Sequence, residues 1–154
     1  MLHYKDNQPY IEGVAVDDII KTHVTPFYVY SQKAISKTYK ELQNALNAEI
    51  FYAVKANSNQ AIIKFICSLG AGADVVSVGE LKRALSAGVG SQKIIFEGVG
   101  KSLEDILFAI EQNIRLINIE SLEELRQISS IATSINKKIN VGIRLNPNID
   151  SKTS

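Results

Sequence analysis

The chain has 154 residues, 45% of them hydrophobic and 21% charged, and its 17 Lys+Arg against 16 Asp+Glu leave a formal charge of +1. That is a soluble globular composition, without the basic excess of a general nucleic-acid binder or the ~20 consecutive apolar residues of a membrane span. Cys67 is the single cysteine, which excludes an internal disulfide and a cysteine-cluster metal site, and the polar start MLHYKDNQPY reads as that of a cytoplasmic protein.

Residues 1–30 read as short extended pieces. YIEGVAV and PFYVY carry β-branched and aromatic residues, and Pro26 sits at a strand start, where its missing N–H is tolerated. The two histidines, His3 and His23, fall in this segment and make a poor basis for a zinc site or a triad. Ser31 is an N-cap for a helix through SQKAISKTYKELQNALN, with Ala34, Ile35, Tyr39, Leu42 and Leu46 at helical spacing.

From residue 49 the chain alternates. EIFYAV, ADVVS, KIIFEG, IRLINI and INVGIRL are short β-branched runs, apolar on both faces, as strands of a covered parallel sheet are. Between them lie the amphipathic segments AIIKFICSLG, VGELKRALSAG, LEDILFAIEQN and LEELRQISSIATSINKK. The strands recur about every 20 to 24 residues, the βα repeat. Ser77 with Glu80, Ser102 with Asp105 and Ser121 with Glu124 each match a serine cap with an acid three residues on, where a strand hands over to a helix. Gly70 and Gly88 fall where helices should stop. Five such units fit either a complete doubly wound sheet or the first part of a (β/α)8 barrel, and periodicity does not separate the two.

In parallel α/β folds the carboxyl ends of the strands carry the chemistry. The run EIFYAVKANSN ends its strand in Lys55, sharing a strand face with Phe51 and Ala53, the small alanine leaving room for a ligand. A lysine in a partly dry pocket sheds its proton more easily and can form a Schiff base with a carbonyl, although a solvated strand-end lysine accounts for the position equally simply. Asp74 lies inside an otherwise apolar strand; burial would require a partner, and Lys55 is the obvious candidate. Ser77 and Glu80 are explained by capping alone. GVGKS at 98–102 fails as a phosphate loop, because Ile95 stands where the pattern needs a glycine, and a tight βα turn accounts for it. Arg144, near the end of the fifth strand, is a second cation for the same rim, and Pro147 marks the loop beyond.

Taken in order, TPFYVYS (25–31), YAVKAN (52–57), GADVVSVGEL (72–81), FEGVGKS (96–102), NIES (118–121) and RLNPNID (144–150) resemble the amino-terminal part of the barrel-type pyridoxal-phosphate decarboxylases, the diaminopimelate decarboxylases in particular. The resemblance implies a partial (β/α)8 TIM barrel of about five βα units over residues 31–154. It implies that residues 1–30 are β segments that pair with a carboxy-terminal β domain. Lys55 matches the lysine that holds pyridoxal 5'-phosphate covalently, Asp74 and Glu80 match acidic residues near that cofactor, and Arg144 matches an arginine on its rim. The implied reaction is decarboxylation of meso-2,6-diaminopimelate to L-lysine by a homodimer. An ornithine/arginine-type decarboxylase, an amino-acid racemase and a non-catalytic cofactor-binding fragment are the alternatives. Family members are far longer, and the chain stops at SKTS before the later strands, the cofactor-stacking histidine and the phosphate-binding glycine loops. The expectation is therefore a truncated product with little activity alone.

Overall fold

Two tight turns organise the start of the chain. Asp6 and Asn7 both take positive φ between β1 (Leu2–Lys5) and β2 (Gln8–Ile11), and Glu12 and Gly13 do so between β2 and β3 (Val14–Ala15). Two-residue turns of this hand match the twist of antiparallel strands, and an antiparallel β1–β2–β3 sheet results, Leu2 facing Ile11 and Tyr10 facing Ala15. This computed structural model describes residues 2–149; Asp150, which closes the RLNPNID stretch, and SKTS lie outside the described residues.

The chain divides into two units, 1–48 and 49–154. In the first, a helix absent from the sequence reading follows β3 directly: α1 (Val16–Thr22), with Asp17 and Asp18 in its first turn and Lys21 in its last, complementing the helix dipole. PFYVY (26–30), expected as an extended piece starting at Pro26, has no partner strand among the described residues and forms no strand. Ser31 caps α2 (Gln32–Ala45) as expected, its Oγ accepting from Ala34 N at 2.9 Å. The Glu12 carboxylate accepts from Ser31 Oγ and, at 2.8 Å, from Lys33 N, tying the second turn to the helix start.

The second unit is a five-stranded parallel sheet: β4 (Phe51–Ala53), β5 (Gly72–Val75), β6 (Ile94–Phe96), β7 (Leu116–Ile119) and β8 (Val141–Ile143). Its order is the order of the chain, with no reversal. A doubly wound sheet needs a reversal, so the sector of a barrel is the architecture. Helices α3 (Gln60–Ser68), α4 (Val78–Ser86), α5 (Leu103–Glu111) and α6 (Leu122–Ser134) follow the first four strands.

One face of the sheet supplies the core. Ala73, Val75, Ile94, Phe96, Ile117 and Ile119 are buried with Ile63, Leu81, Ala84, Ile106, Ala109, Ile110 and Ile128 of the helices. Serine caps set the starts of α4, α5 and α6. Ser102 and Asp105 form a reciprocal capping box, whereas Glu80 and Glu124 reach one residue further back, to Val76 N and Glu120 N, both at 2.9 Å. Gly70 and Gly88 end α3 and α4 with φ of 118° and 88°, the left-handed stop that glycine adopts without steric cost.

Candidate functional site

The opposite face of the same sheet is not apolar, which corrects the reading of strands apolar on both sides. Asp74 is flanked in register by Ala53 and Ile95, and Ile95 by Leu116. Asn118 is flanked by Gly142. Two ladder bonds carry the pattern past the strand ends, Glu97 N to Val75 O at 2.8 Å and Arg144 N to Ile119 O at 3.0 Å. By the two-residue alternation, Asp74, Glu97, Asn118, Glu120 and Arg144 share the face away from the helices, toward the carboxyl ends of the strands.

These groups are connected. Asn118 Nδ2 donates to Glu97 Oε1 at 2.5 Å. Arg144 Nη1 donates to Glu120 Oε1 at 3.3 Å and lies 3.7 Å from Glu97 Oε2, so one guanidinium is shared by two carboxylates. The glutamate side chains are 30% and 19% exposed and the arginine 58%, so water partly screens that sharing. Glu97, Asn118 and Glu120 were not singled out in the sequence; their signal was a polar residue toward the end of an otherwise apolar run, with Asn118 and Glu120 two apart.

Lys55 is exposed at the same end of the sheet, but not on a strand. β4 stops at Ala53, and Val54–Ala56 form a single 3₁₀ turn with Val54 fully buried beneath it. Tyr52 OH donates to Asn57 O at 3.0 Å, Asn57 Oδ1 accepts from Asn59 N, and Asn59 Oδ1 accepts from Ala61 N as the cap of α3. The lysine therefore projects from a turn pinned on both sides.

Asp74 lies inside β5, as expected, yet it forms no ion pair with Lys55. Its Oδ1 is buried and, among the described residues, stands without a hydrogen-bond partner. Burial pushes its pKa up, the Glu97 carboxylate adds to this, and Glu80 contributes in the same direction; Lys55 and Arg144 pull it back down. Lys55 thus acts on Asp74 through its field. Glu80 is engaged as the clamp on Val76 N described above, close enough for its charge to be felt at Asp74.

The GVGKS segment is a turn between β6 and α5, as expected, with Gly98 and Gly100 at positive φ. Lys101 does not point toward a ligand-binding loop; its side chain is 2% exposed, and its Nζ donates to Gly98 O at 2.6 Å, Asn118 O at 2.7 Å and Glu124 Oε1 at 3.1 Å. Glu124, read as a cap, is thus also the counter-ion of a buried lysine. Among the described residues no group of three or more His, Cys, Asp or Glu could hold a metal ion, and no helix is long and apolar enough to cross a membrane.

Comparison with known proteins gives a consistent answer. Residues 32–154 match the family described as pyridoxal-dependent decarboxylase, pyridoxal binding domain. The diaminopimelate decarboxylase of Aquifex aeolicus is 41% identical over 153 residues, which are 99% of this chain and 36% of the relative. A crystal structure from Aquifex aeolicus superposes with a TM-score of 0.91 at 40% identity, covering 96% of this chain and 37% of that one. The diaminopimelate decarboxylase of Helicobacter pylori complexed with L-lysine superposes at 0.85 with 44% identity, covering 89% and 36%. The chain spans little more than a third of the length of the curated relatives it matches.

Proposed function

Since the chain belongs to the pyridoxal-dependent decarboxylases and matches their pyridoxal-binding domain, we propose that the carboxyl-end rim of its sheet is the pyridoxal 5'-phosphate site of an amino-acid decarboxylase, and that the reaction served is conversion of meso-2,6-diaminopimelate to L-lysine. The observation that carries this reading is the pairing of an exposed lysine, Lys55, with a neighbouring strand whose Asp74 has an orphaned carboxylate oxygen. The substrate is supported by the relatives, which are named diaminopimelate decarboxylases, one of them solved with L-lysine.

The residues present fit the cofactor. An aldehyde needs a reachable primary amine, and Lys55 supplies one from a turn fixed by Tyr52 and Asn59. A buried acceptor without a partner needs a polar group to face it, and Asp74 Oδ1 is such an atom. When bound, pyridoxal phosphate supplies the electron sink for the pair left behind as carbon dioxide departs. Lys55 Nζ is the atom that would bond the aldehyde carbon, and as a free amine it would be placed to move a proton at the same rim. Asp74, with its pKa raised by burial and by Glu97, holds a proton more readily than an ordinary aspartate. Glu80 reinforces that effect from its clamp on Val76. Arg144, held between Glu97 and Glu120, presents a fixed positive charge to the same side. For assembly and compartment the proposal is a homodimer in the cytoplasm, and for β1–β3 a pairing with a further β domain; family membership is the support for each.

The test is chemical capture. The protein is mixed with pyridoxal phosphate and reduced with borohydride, and the adduct is located by peptide mass spectrometry. Selective labelling of Lys55, lost in Lys55→Ala, is the expected result. Labelling scattered over the 13 lysines, or none, overturns the site. Release of carbon dioxide from meso-2,6-diaminopimelate, against ornithine and arginine, decides the substrate.

A further inference from the structure

We propose that Lys101 is a positioning residue for the rim: an ammonium buried behind the sheet that locks the ends of β6 and β7, and thereby aims Glu97, Asn118 and Glu120. The proposal rests on reading the rim as the cofactor site, but its geometry is independent of Lys55.

Lys101 makes three bonds, and each has a consequence at the rim. The first, to Gly98 O at 2.6 Å, fixes the residue immediately after Glu97. The second, to Asn118 O at 2.7 Å, fixes the backbone of the residue whose side chain holds Glu97 Oε1. The third, to Glu124 Oε1 at 3.1 Å, orients a carboxylate whose other oxygen accepts from Glu120 N at 2.9 Å. Three rim residues on two strands therefore hang from one amine. The Lys101 Nζ also stands 5.4 Å from the centre of the Phe96 ring, within reach of a cation–π attraction.

A buried ion pair is weak evidence for stability, because desolvation offsets much of the attraction and well-packed apolar replacements are often as stable. Burying a lysine here demands three acceptors placed in advance. What the arrangement supplies is a defined separation between two strand ends. The Lys101 Nζ has three protons, and all three are used. Around metal sites, groups that orient the ligands change affinity by about 10- to 100-fold when removed, and the same order is expected here.

The experiment separates positioning from folding. In the wild-type protein, the Lys101 ammonium is expected as a slowly exchanging ¹⁵N signal, absent in Lys101→Met. The double variant Lys101→Met/Glu124→Leu replaces the pair with apolar side chains. It is expected to keep its circular dichroism, to lower its thermal midpoint because Gly98 O, Asn118 O and Glu120 N each lose a partner, to shift the Asn118 side-chain amide resonance (assigned by its loss in Asn118→Ala), and to weaken pyridoxal phosphate capture at Lys55 about tenfold. A double variant with wild-type Asn118 resonance and wild-type capture overturns the proposal, as does a freely exchanging Lys101 ammonium. Should the double variant not fold, the wild-type ammonium signal decides. A wild-type chain that fails to capture cofactor at Lys55 overturns the site reading instead, while the Asn118 resonance still judges Lys101.

Discussion

Gly142 stands in register with Asn118 across the β7–β8 pairing, and the space a side chain would occupy at Gly142 is filled by the Asn118 amide. A β-carbon there would collide with Asn118 Oδ1 and lie 3.3 Å from Leu116 Cδ2. The missing side chain on one strand is therefore what lets Asn118 adopt the conformation that reaches Glu97.

Gly142→Ala is expected to act mainly on that contact. The Asn118 side chain is movable, so it should swing away and give up its bond to Glu97 Oε1, at a cost of about 1 kcal/mol, the worth of one hydrogen bond. Urea denaturation reads the stability, and the Asn118 amide resonance reads the displacement. A resonance identical to wild type would show that the strands part instead.

Asp74→Asn tests the electrostatics of the rim. Because the folded state raises the Asp74 pKa, wild type carries no penalty below the unfolded aspartate value of about 3.9 and loses stability as pH rises through the folded value. The asparagine variant has no such loss. Its stability relative to wild type should therefore grow from about pH 3.9 upward and level off once folded Asp74 has ionised. Urea midpoints across that range provide the measurement, and a difference constant with pH would contradict the assignment.

Ser102→Ala removes half of the reciprocal capping box that starts α5. Ser102 Oγ accepts from Asp105 N at 3.1 Å, and Asp105 Oδ2 accepts from Ser102 N at 3.0 Å. The expected loss is about 1 kcal/mol in chemical denaturation, with the sheet-end groups unaffected.

Cys67 should react slowly. Its thiol is half-buried, Sγ approaches Gly72 O at 3.8 Å, and burial pushes its pKa up. Alkylation by iodoacetamide should follow a pH profile displaced above that of a free cysteine, because the thiolate is the nucleophile. A rate at neutral pH equal to that of an unfolded control would refute this.

The parts of the structure governed by local chemistry were readable in advance. The five strand runs, the cap at Ser31, the serines at 77, 102 and 121, and the stops at Gly70 and Gly88 each depend on neighbours within a few residues. That Lys55 lies at the carboxyl end of the sheet was readable from chain order, but the strand face it was given was not, since β4 stops at Ala53. The helix Val16–Thr22 was missed because it has no side-chain cap and no buried residue, so no apolar stripe advertises it. Glu124 was read rightly as the acid of a helix start, but its second task depends on Lys101, a long-range partner that no local pattern shows. Asp74 without Lys55 as an ion-pair partner was beyond the sequence for a related reason. The chain leaves β4 in a 3₁₀ turn, and that change of direction decides where the lysine goes.

The two-faced sheet has a consequence for folding. Because side chains alternate along a strand, pairing β5 or β6 with its neighbour one residue out of step would send Asp74 or Glu97 beneath the helices and turn Val75 or Phe96 toward the open side. An unpaired carboxylate under a helix layer costs several kcal/mol, far more than a single misplaced methyl group. The acidic side chains of the rim thus act as proofreaders of strand alignment, penalising the off-by-one sheet before any ligand is met.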